Sequence, residues 1–102
     1  MSEFYKRDGT KYEGENALMD WAKDFKDSDK KIVKQEVLEN DKYVSTVWLG
    51  LDHSFEEGKP IIFETMVFSQ KRGENLDEER YSTEEEAIEG HKKMVTKWSK
   101  IK

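Results

Sequence analysis

The stretch YVSTVWLGLDHSFEEGKPIIFETMVF, residues 43–68, predicts the centre of a β-sheet. Its two ends are rich in β-branched and aromatic residues, which suit a pleated sheet. A turn with Gly58 and Pro60 separates them. In the first run, Val44, Thr46 and Trp48 alternate with a second set of side chains that is also largely apolar. This second set is Tyr43, Ser45, Val47, Leu49 and Leu51. Because successive side chains of a strand point to opposite faces, we expect a central strand covered on both faces.

A β-hairpin and a helix are predicted before this stretch. Asp8-Gly9 is a strong signal for a two-residue hairpin turn, which would set Tyr5 opposite Tyr12. Residues 15–27 then place four apolar side chains on one helical face, with Asn16 as the candidate N-cap. These side chains are Leu18, Trp21, Ala22 and Phe25. A further strand before residue 40 is expected to pair with the strand that begins near Tyr43.

A second helix is predicted after the sheet. Ser82 and Thr83 each precede a glutamate by three residues, which is the pattern of a capping box. Apolar or weakly polar residues then recur at helical spacing and predict a face turned to the core. They are Ala87, His91, Met94, Trp98 and Ile101. Residues 69–79 are polar and predict a connection.

The order of these elements predicts an α+β fold with a single domain over residues 1–102. An antiparallel β-sheet, formed by the N-terminal hairpin plus three or four strands, would pack with two helices. Only 34% of the 102 residues are apolar and 40% are charged, so the core is small. Oligomerisation that buries more surface suits so small a core.

The net charge of −5 argues against binding to duplex nucleic acid, since phosphate neutralisation needs a basic surface. Cysteine is absent, which excludes disulfides, thiolate catalysis and cysteine-ligated zinc. No run reaches the roughly 20 apolar residues of a membrane span, and no signal-peptide pattern opens the chain. We therefore expect a cytoplasmic protein without a membrane partner.

Several polar residues interrupt the apolar pattern and are candidates for a ligand site. Glu64 shares a strand face with apolar residues, where an unpaired carboxylate is costly, so it either pairs with Arg80 or a lysine or serves a pocket. His91 lies on the apolar face of the last helix, after Gly90, an unusual helix residue that allows close packing. Asp52 and His53 follow a strand, where Asp is also a natural turn former.

Trp48, Arg80 and Tyr81 form a second set of candidates. Aromatic planes could stack on a base while a guanidinium grips a phosphate, although Trp48 in the core and Arg80 paired with Glu64 would be equally consistent. The chain has neither an HExxH motif nor a nucleophile elbow, and we expect no cofactor and no bound metal. The geometric hypothesis is that Asp52, His53, Glu64 and His91 converge around the carboxylate of Glu64.

Three blocks of the sequence resemble a family of small uncharacterised proteins of tailed bacteriophages and prophages. The matching residues are Leu51-Asp52-His53, Gly58 with Pro60, Phe63-Glu64-Thr65-Met66, Arg80-Tyr81 with Thr83, and Gly90-His91. Glu56-Glu57 stand where many relatives carry glycines. The resemblance implies a phage or prophage origin and names no activity.

The favoured hypothesis is a phage accessory protein that acts by binding in the host cytoplasm. Its partner would be a host protein, such as a defence factor that it blocks, or a small nucleotide-like ligand that it sequesters. One alternative is a small metal-assisted hydrolase that uses Glu64, His53 and His91. The other is a structural or virion-associated interaction module in which all these residues serve packing.

Overall fold

A computed structural model describes residues 3–52 and 58–100 and confirms the α+β fold. Four antiparallel strands form one sheet in the order β1-β2-β3-β4, and three helices accompany them. The elements are α1 (Ala17–Lys26), α2 (Ser28–Lys31), β1 (Ile32–Val37), β2 (Lys42–Trp48), β3 (Phe63–Ser69), β4 (Asn75–Tyr81) and α3 (Glu84–Ser99). Within the described ranges, every helix is too short or too polar to cross a bilayer.

Helix α3 covers one face of the sheet. Val44 of β2 and Val67 of β3 pair directly and pack against Met94 of α3. Strand alternation then turns Tyr43 and Phe68 to the other face, where their rings contact each other with centroids 6.4 Å apart. Since the described helices pack on the α3 side, the expectation that β2 is covered on both faces is wrong for this part of the chain.

The N-terminal hairpin and α1 close one end of the sheet around Trp48. The Trp48 ring is buried against Tyr12 and Phe25, and its Nε1 donates to the Tyr5 carbonyl at 3.0 Å. Nearby, Gly50 has φ +74°, and a Cβ there would overlap the Trp21 indole. Glycine therefore meets two demands at this position, one of backbone conformation and one of space.

The hairpin forms with a register one residue away from the predicted one. Lys6 N donates to Thr10 O at 2.6 Å, which leaves a three-residue loop ending at Gly9 with φ +93°. A loop of this length with glycine in the left-handed region is a common hairpin connection. It sets Tyr5 opposite Lys11, so the predicted Tyr5–Tyr12 pair is wrong.

Helix α1 buries only part of its predicted apolar face. Trp21 and Phe25 stack on each other with centroids 5.0 Å apart and pack against the Trp48 cluster. Leu18 is 57% exposed, whereas Ala17 in the same turn packs against that cluster. Asn16 occupies the N-cap position but makes no capping hydrogen bond with its side chain.

Strand β4 lies in the segment that the sequence predicted to be a polar connection. Its acidic residues are tolerated because β4 is an edge strand, paired only with β3. Charged side chains on an edge discourage pairing with another chain, and they hide the period-two signal of the strand. Leu76 and Asp77 pack toward α3, where Asp77 Oδ2 accepts from Trp98 Nε1 at 3.0 Å.

Helix α3 begins as predicted and packs closely on β4. The Thr83 hydroxyl accepts from Glu86 N at 3.1 Å, while the Glu86 carboxylate accepts from Thr83 N, so the capping box is confirmed. Gly90 faces the Tyr81 ring with no room for a Cβ. Close packing therefore explains the helical glycine.

Gly90→Ala is expected to lower the free energy of unfolding by about 1–3 kcal/mol, although alanine favours helix more than glycine does. The added methyl would displace the Tyr81 ring. Urea denaturation measures the effect, with Glu89→Ala on the exposed side of the same turn as the control. Equal or greater stability of Gly90→Ala would contradict the close packing of Tyr81 against Gly90.

Candidate ligand site

Glu64 and Arg80 form an ion pair on the face of the sheet opposite α3. They are direct cross-strand neighbours, and Arg80 Nε donates to Glu64 Oε2 at 2.9 Å. The Glu64 side chain is 11% exposed and that of Arg80 40%. The pairing of Glu64 with Arg80, one of the sequence interpretations, is confirmed.

His91 lies on the other face, inside a buried chain of hydrogen bonds. Its Nδ1 is 2.7 Å from Thr46 Oγ1, which is in turn 2.5 Å from Thr65 Oγ1. Its Nε2 is 3.2 Å from the Glu36 carboxylate. These bonds satisfy an imidazole and two hydroxyls between helix and sheet, where unpaired polar groups would be costly.

The predicted convergence around Glu64 is therefore wrong. Thr65 contacts the Thr46–His91 pair on the α3 face, and its neighbour Glu64 points the opposite way. The sheet itself separates the two groups. One ligand cannot contact both the Glu64 carboxylate and the His91 imidazole.

The order Glu36, His91, Thr46 resembles a nucleophile with its base, but it has no access to substrate. His91, Thr46 and Thr65 are all fully buried. Burial lowers the pKa of His91, and the Glu36 carboxylate opposes this shift only in part. A neutral, sealed imidazole is suited to holding α3 on the sheet.

The remaining predicted residues near this region serve other contacts. Asp52 Oδ1 accepts from Ile61 N at 2.9 Å and so ties together the two ends of the loop between them. His53 lies outside the described residues. Tyr81 is buried beneath Gly90, and this burial raises the pKa of its phenol. Arg80 and Tyr81, as neighbours on β4, point to opposite faces of the sheet.

Trp48 and Tyr81 are predicted ligand residues that each line a cavity; four glutamates surround the one at Tyr81, whereas the one at Trp48 carries cationic side chains. A cleft of about 290 Å³ opens where the hairpin, α1, α2 and β2 meet, and we call it the hairpin cleft. Its lining residues are Lys6, Arg7, Tyr12, Asp24, Asp29, Lys30 and Trp48. Aromatic side chains form its inner wall, and charged side chains surround it.

Hydrogen bonds and ion pairs hold the wall of the hairpin cleft in place. The Tyr12 hydroxyl donates to Asp24 Oδ2 at 2.6 Å, and Lys30 Nζ lies 2.8 Å from Asp24 Oδ1. The Lys30 ammonium, followed by the Tyr12 hydroxyl, lowers the pKa of Asp24, while burial raises that of Tyr12. Arg7 is anchored by Glu84 of α3 and by the Ile32 carbonyl.

Lys6 is the least constrained cation of the hairpin cleft. Its Nζ lies 5.7 Å from the centroid of the Tyr12 ring, and it makes no ion pair with a carboxylate in residues 3–52 or 58–100. The aromatic–cationic combination expected from Trp48, Arg80 and Tyr81 thus occurs with different residues. Lys6 and Arg7 could have been predicted as site residues only from the hairpin, which brings them beside β2.

No group of three or more histidine, aspartate or glutamate side chains in the described ranges is placed to hold a metal ion. Comparisons with protein-family models, curated proteins and solved structures found no significant match. The resemblance to phage proteins stays a prediction.

The stability of the protein is expected to fall as the pH decreases from 7.5 to 5.5. Because burial lowers the pKa of His91, the unfolded chain binds a proton near its ordinary pKa of 6.5 while the folded chain resists it. The slope contributed by one such group is at most about 1.4 kcal/mol per pH unit. Denaturant titration at several pH values measures it.

His91→Gln should flatten this pH dependence and also reduce stability at pH 7.5, since it disturbs the buried hydrogen bonds. The chain has two histidines, so His53→Gln is the matched control and should retain the wild-type slope. An unchanged slope in His91→Gln would show that the buried imidazole does not govern acid stability.

A double-mutant cycle with Glu64→Gln and Arg80→Gln should give a coupling of about 0.5–1 kcal/mol, because the carboxylate is mostly buried against the guanidinium. The exposed pair Arg72–Glu74, with its closest atoms 3.9 Å apart, is the control and should show no measurable coupling. Equal coupling in the two pairs, from urea denaturation, would contradict the stabilising role of the Glu64–Arg80 pair.

Proposed function

We propose that the protein acts by binding a small anionic ligand that carries a ring, of the size of a mononucleotide, in the hairpin cleft. The observation that supports this function is the combination of two aromatic rings with three cationic side chains around one cavity. Its volume of about 290 Å³ lies at the lower end of the range for small-molecule sites.

The charges of the hairpin cleft favour an anion. Lys6, Arg7 and Lys30 outnumber Asp24 and Asp29 among its lining residues, and Lys6 is the one of the three that no ion pair holds within the described ranges. A phosphate would take the free ammonium of Lys6 as its first partner. The carboxylates would accept hydrogen bonds from sugar hydroxyls, and the Tyr12 and Trp48 side chains that line the cleft would contact the ring.

The biological role proposed with this site is that of a phage accessory protein in the host cytoplasm that sequesters a nucleotide-like signal. The sequence resemblance supplies the phage context, and the hairpin cleft supplies the chemistry. Sequestration requires only binding, and the aromatic and cationic side chains that line the cleft can supply it.

The alternative of a hydrolase that uses Glu64, His53 and His91 together does not fit the geometry. Glu64 and His91 lie on opposite faces of the sheet, so they cannot act on one substrate. Blockade of a host protein and a structural role in the virion stay predictions from sequence.

The test is calorimetric titration of the protein with AMP, GMP, CMP and UMP, and with adenosine and inorganic phosphate as partial ligands. At least one mononucleotide should bind more tightly than either partial ligand, because ring and phosphate engage different parts of the cleft. Lys6→Gln should weaken that binding about tenfold, which corresponds to about 1.4 kcal/mol.

Lys26→Gln is the matched control, since Lys26 is exposed on α1 and does not line the cleft. It should bind like the wild type. Absence of binding by all four mononucleotides, or equal affinities for Lys6→Gln and Lys26→Gln, would refute the proposed site.

A further inference from the structure

The face of the sheet opposite α3, which we call the open face, carries six apolar or aromatic side chains; Val37 is 64% exposed and the other five are half-buried. The strand pairing sets its side chains in three rows across β1 to β4. The rows are Val37-Tyr43-Phe68-Asn75, Gln35-Ser45-Met66-Glu78 and Ile32-Val47-Glu64-Arg80. Half of these residues are apolar or aromatic, and all of those lie on β1, β2 or β3.

The total exposed area of the chain leaves room for an interface of standard size on this face. A monomeric protein of this length exposes about 6,000 Å² of surface. This chain exposes 7043 Å², an excess of roughly 1,000 Å². A standard protein–protein interface buries about 800 Å² on each partner, so the total excess is of the size that one such interface would bury.

The arrangement of the open face suits a second copy of the same chain. A two-fold axis that runs across the strands would place β1 on β1 and β4 on β4 and would exchange the first and third rows. The apolar residues are suited to this two-fold symmetry. They lie in the first and third rows, which the axis exchanges, and Met66 lies between them in the middle row. The polar column on β4 would lie at the rim of the interface.

We propose that the protein is a homodimer whose two sheets pack face to face through the open face. The charges permit this contact. Glu64, Glu78 and Arg80 are the charged residues in the three rows, so the face is almost neutral although the chain carries −5. Glu64 keeps its ion pair with Arg80 of its own chain and brings no unpaired charge into the interface.

This dimer is independent of the hairpin cleft. Val47 points to the open face, whereas its neighbour Trp48 points to the α3 side, where the cleft lies. A dimer would therefore present two accessible clefts.

The first experiment is sedimentation equilibrium of the wild-type chain over a hundredfold range of concentration. We expect the mass of a dimer at the high end. Met66→Glu and Val37→Glu, on the open face, should shift dissociation at least tenfold toward monomer. Leu18→Glu, an exposed apolar position on α1, is the control and should remain dimeric. Circular dichroism establishes that each variant is folded.

The second experiment uses the absence of cysteine from the chain. Met66→Cys would place one thiol of each chain near the two-fold axis. Packed sheets lie about 10 Å apart, too far for a disulfide, but within reach of a short bismaleimide cross-linker. Met66→Cys should be cross-linked to a covalent dimer, and Leu18→Cys should not.

A wild-type chain that is monomeric throughout would overturn the dimer and leave the open face to a different protein. A dimer that persists in both Met66→Glu and Val37→Glu, or equal cross-linking at positions 66 and 18, would place the contact elsewhere and overturn it as well. Neither result bears on mononucleotide binding, which is measured separately.

Discussion

The hydrogen-bonded chain from His91 through Thr46 to Thr65 is the constraint on which the arrangement of this protein depends. It fixes the rotation of α3 over the centre of the sheet, because an imidazole and two hydroxyls must all find partners in a space without water. Apolar packing of Ala87 and Met94 supplies most of the burial around it, but apolar contacts alone tolerate sliding. The chain of hydrogen bonds does not tolerate such sliding.

Once α3 is placed on that face, the roles of the other polar residues follow. Strand alternation turns Glu64 and Arg80 away from the helix, where they satisfy each other. The same alternation leaves the apolar residues on that side without a described helix above them. A small chain has too few apolar residues for two helical layers, so within one chain the helices cover a single face of the sheet.

The hairpin cleft arises from a different constraint, the closure of the sheet end around Trp48. The hairpin, α1 and α2 each contribute charged residues at this end of the sheet, and these residues surround the cavity. A ligand site built from three short segments has no motif of contiguous residues. This is why the sequence pattern indicated Trp48 but not Lys6, Arg7 or Tyr12.

The sequence by itself determined the elements whose signals are local: the pairing of a strand before residue 40 with the strand that begins near Tyr43, the capping box at Thr83, and the apolar face of α3. It also indicated Arg80 or a lysine as a partner for Glu64, since a semi-buried carboxylate demands a cation, and the structure shows that the partner is Arg80. Only the tertiary structure decided that β4 is an edge strand and that His91 and Glu64 lie on opposite sides of the sheet. Those facts depend on which face of the sheet the last helix covers. Contacts between distant segments determine that face, and such contacts leave no periodic pattern in the sequence.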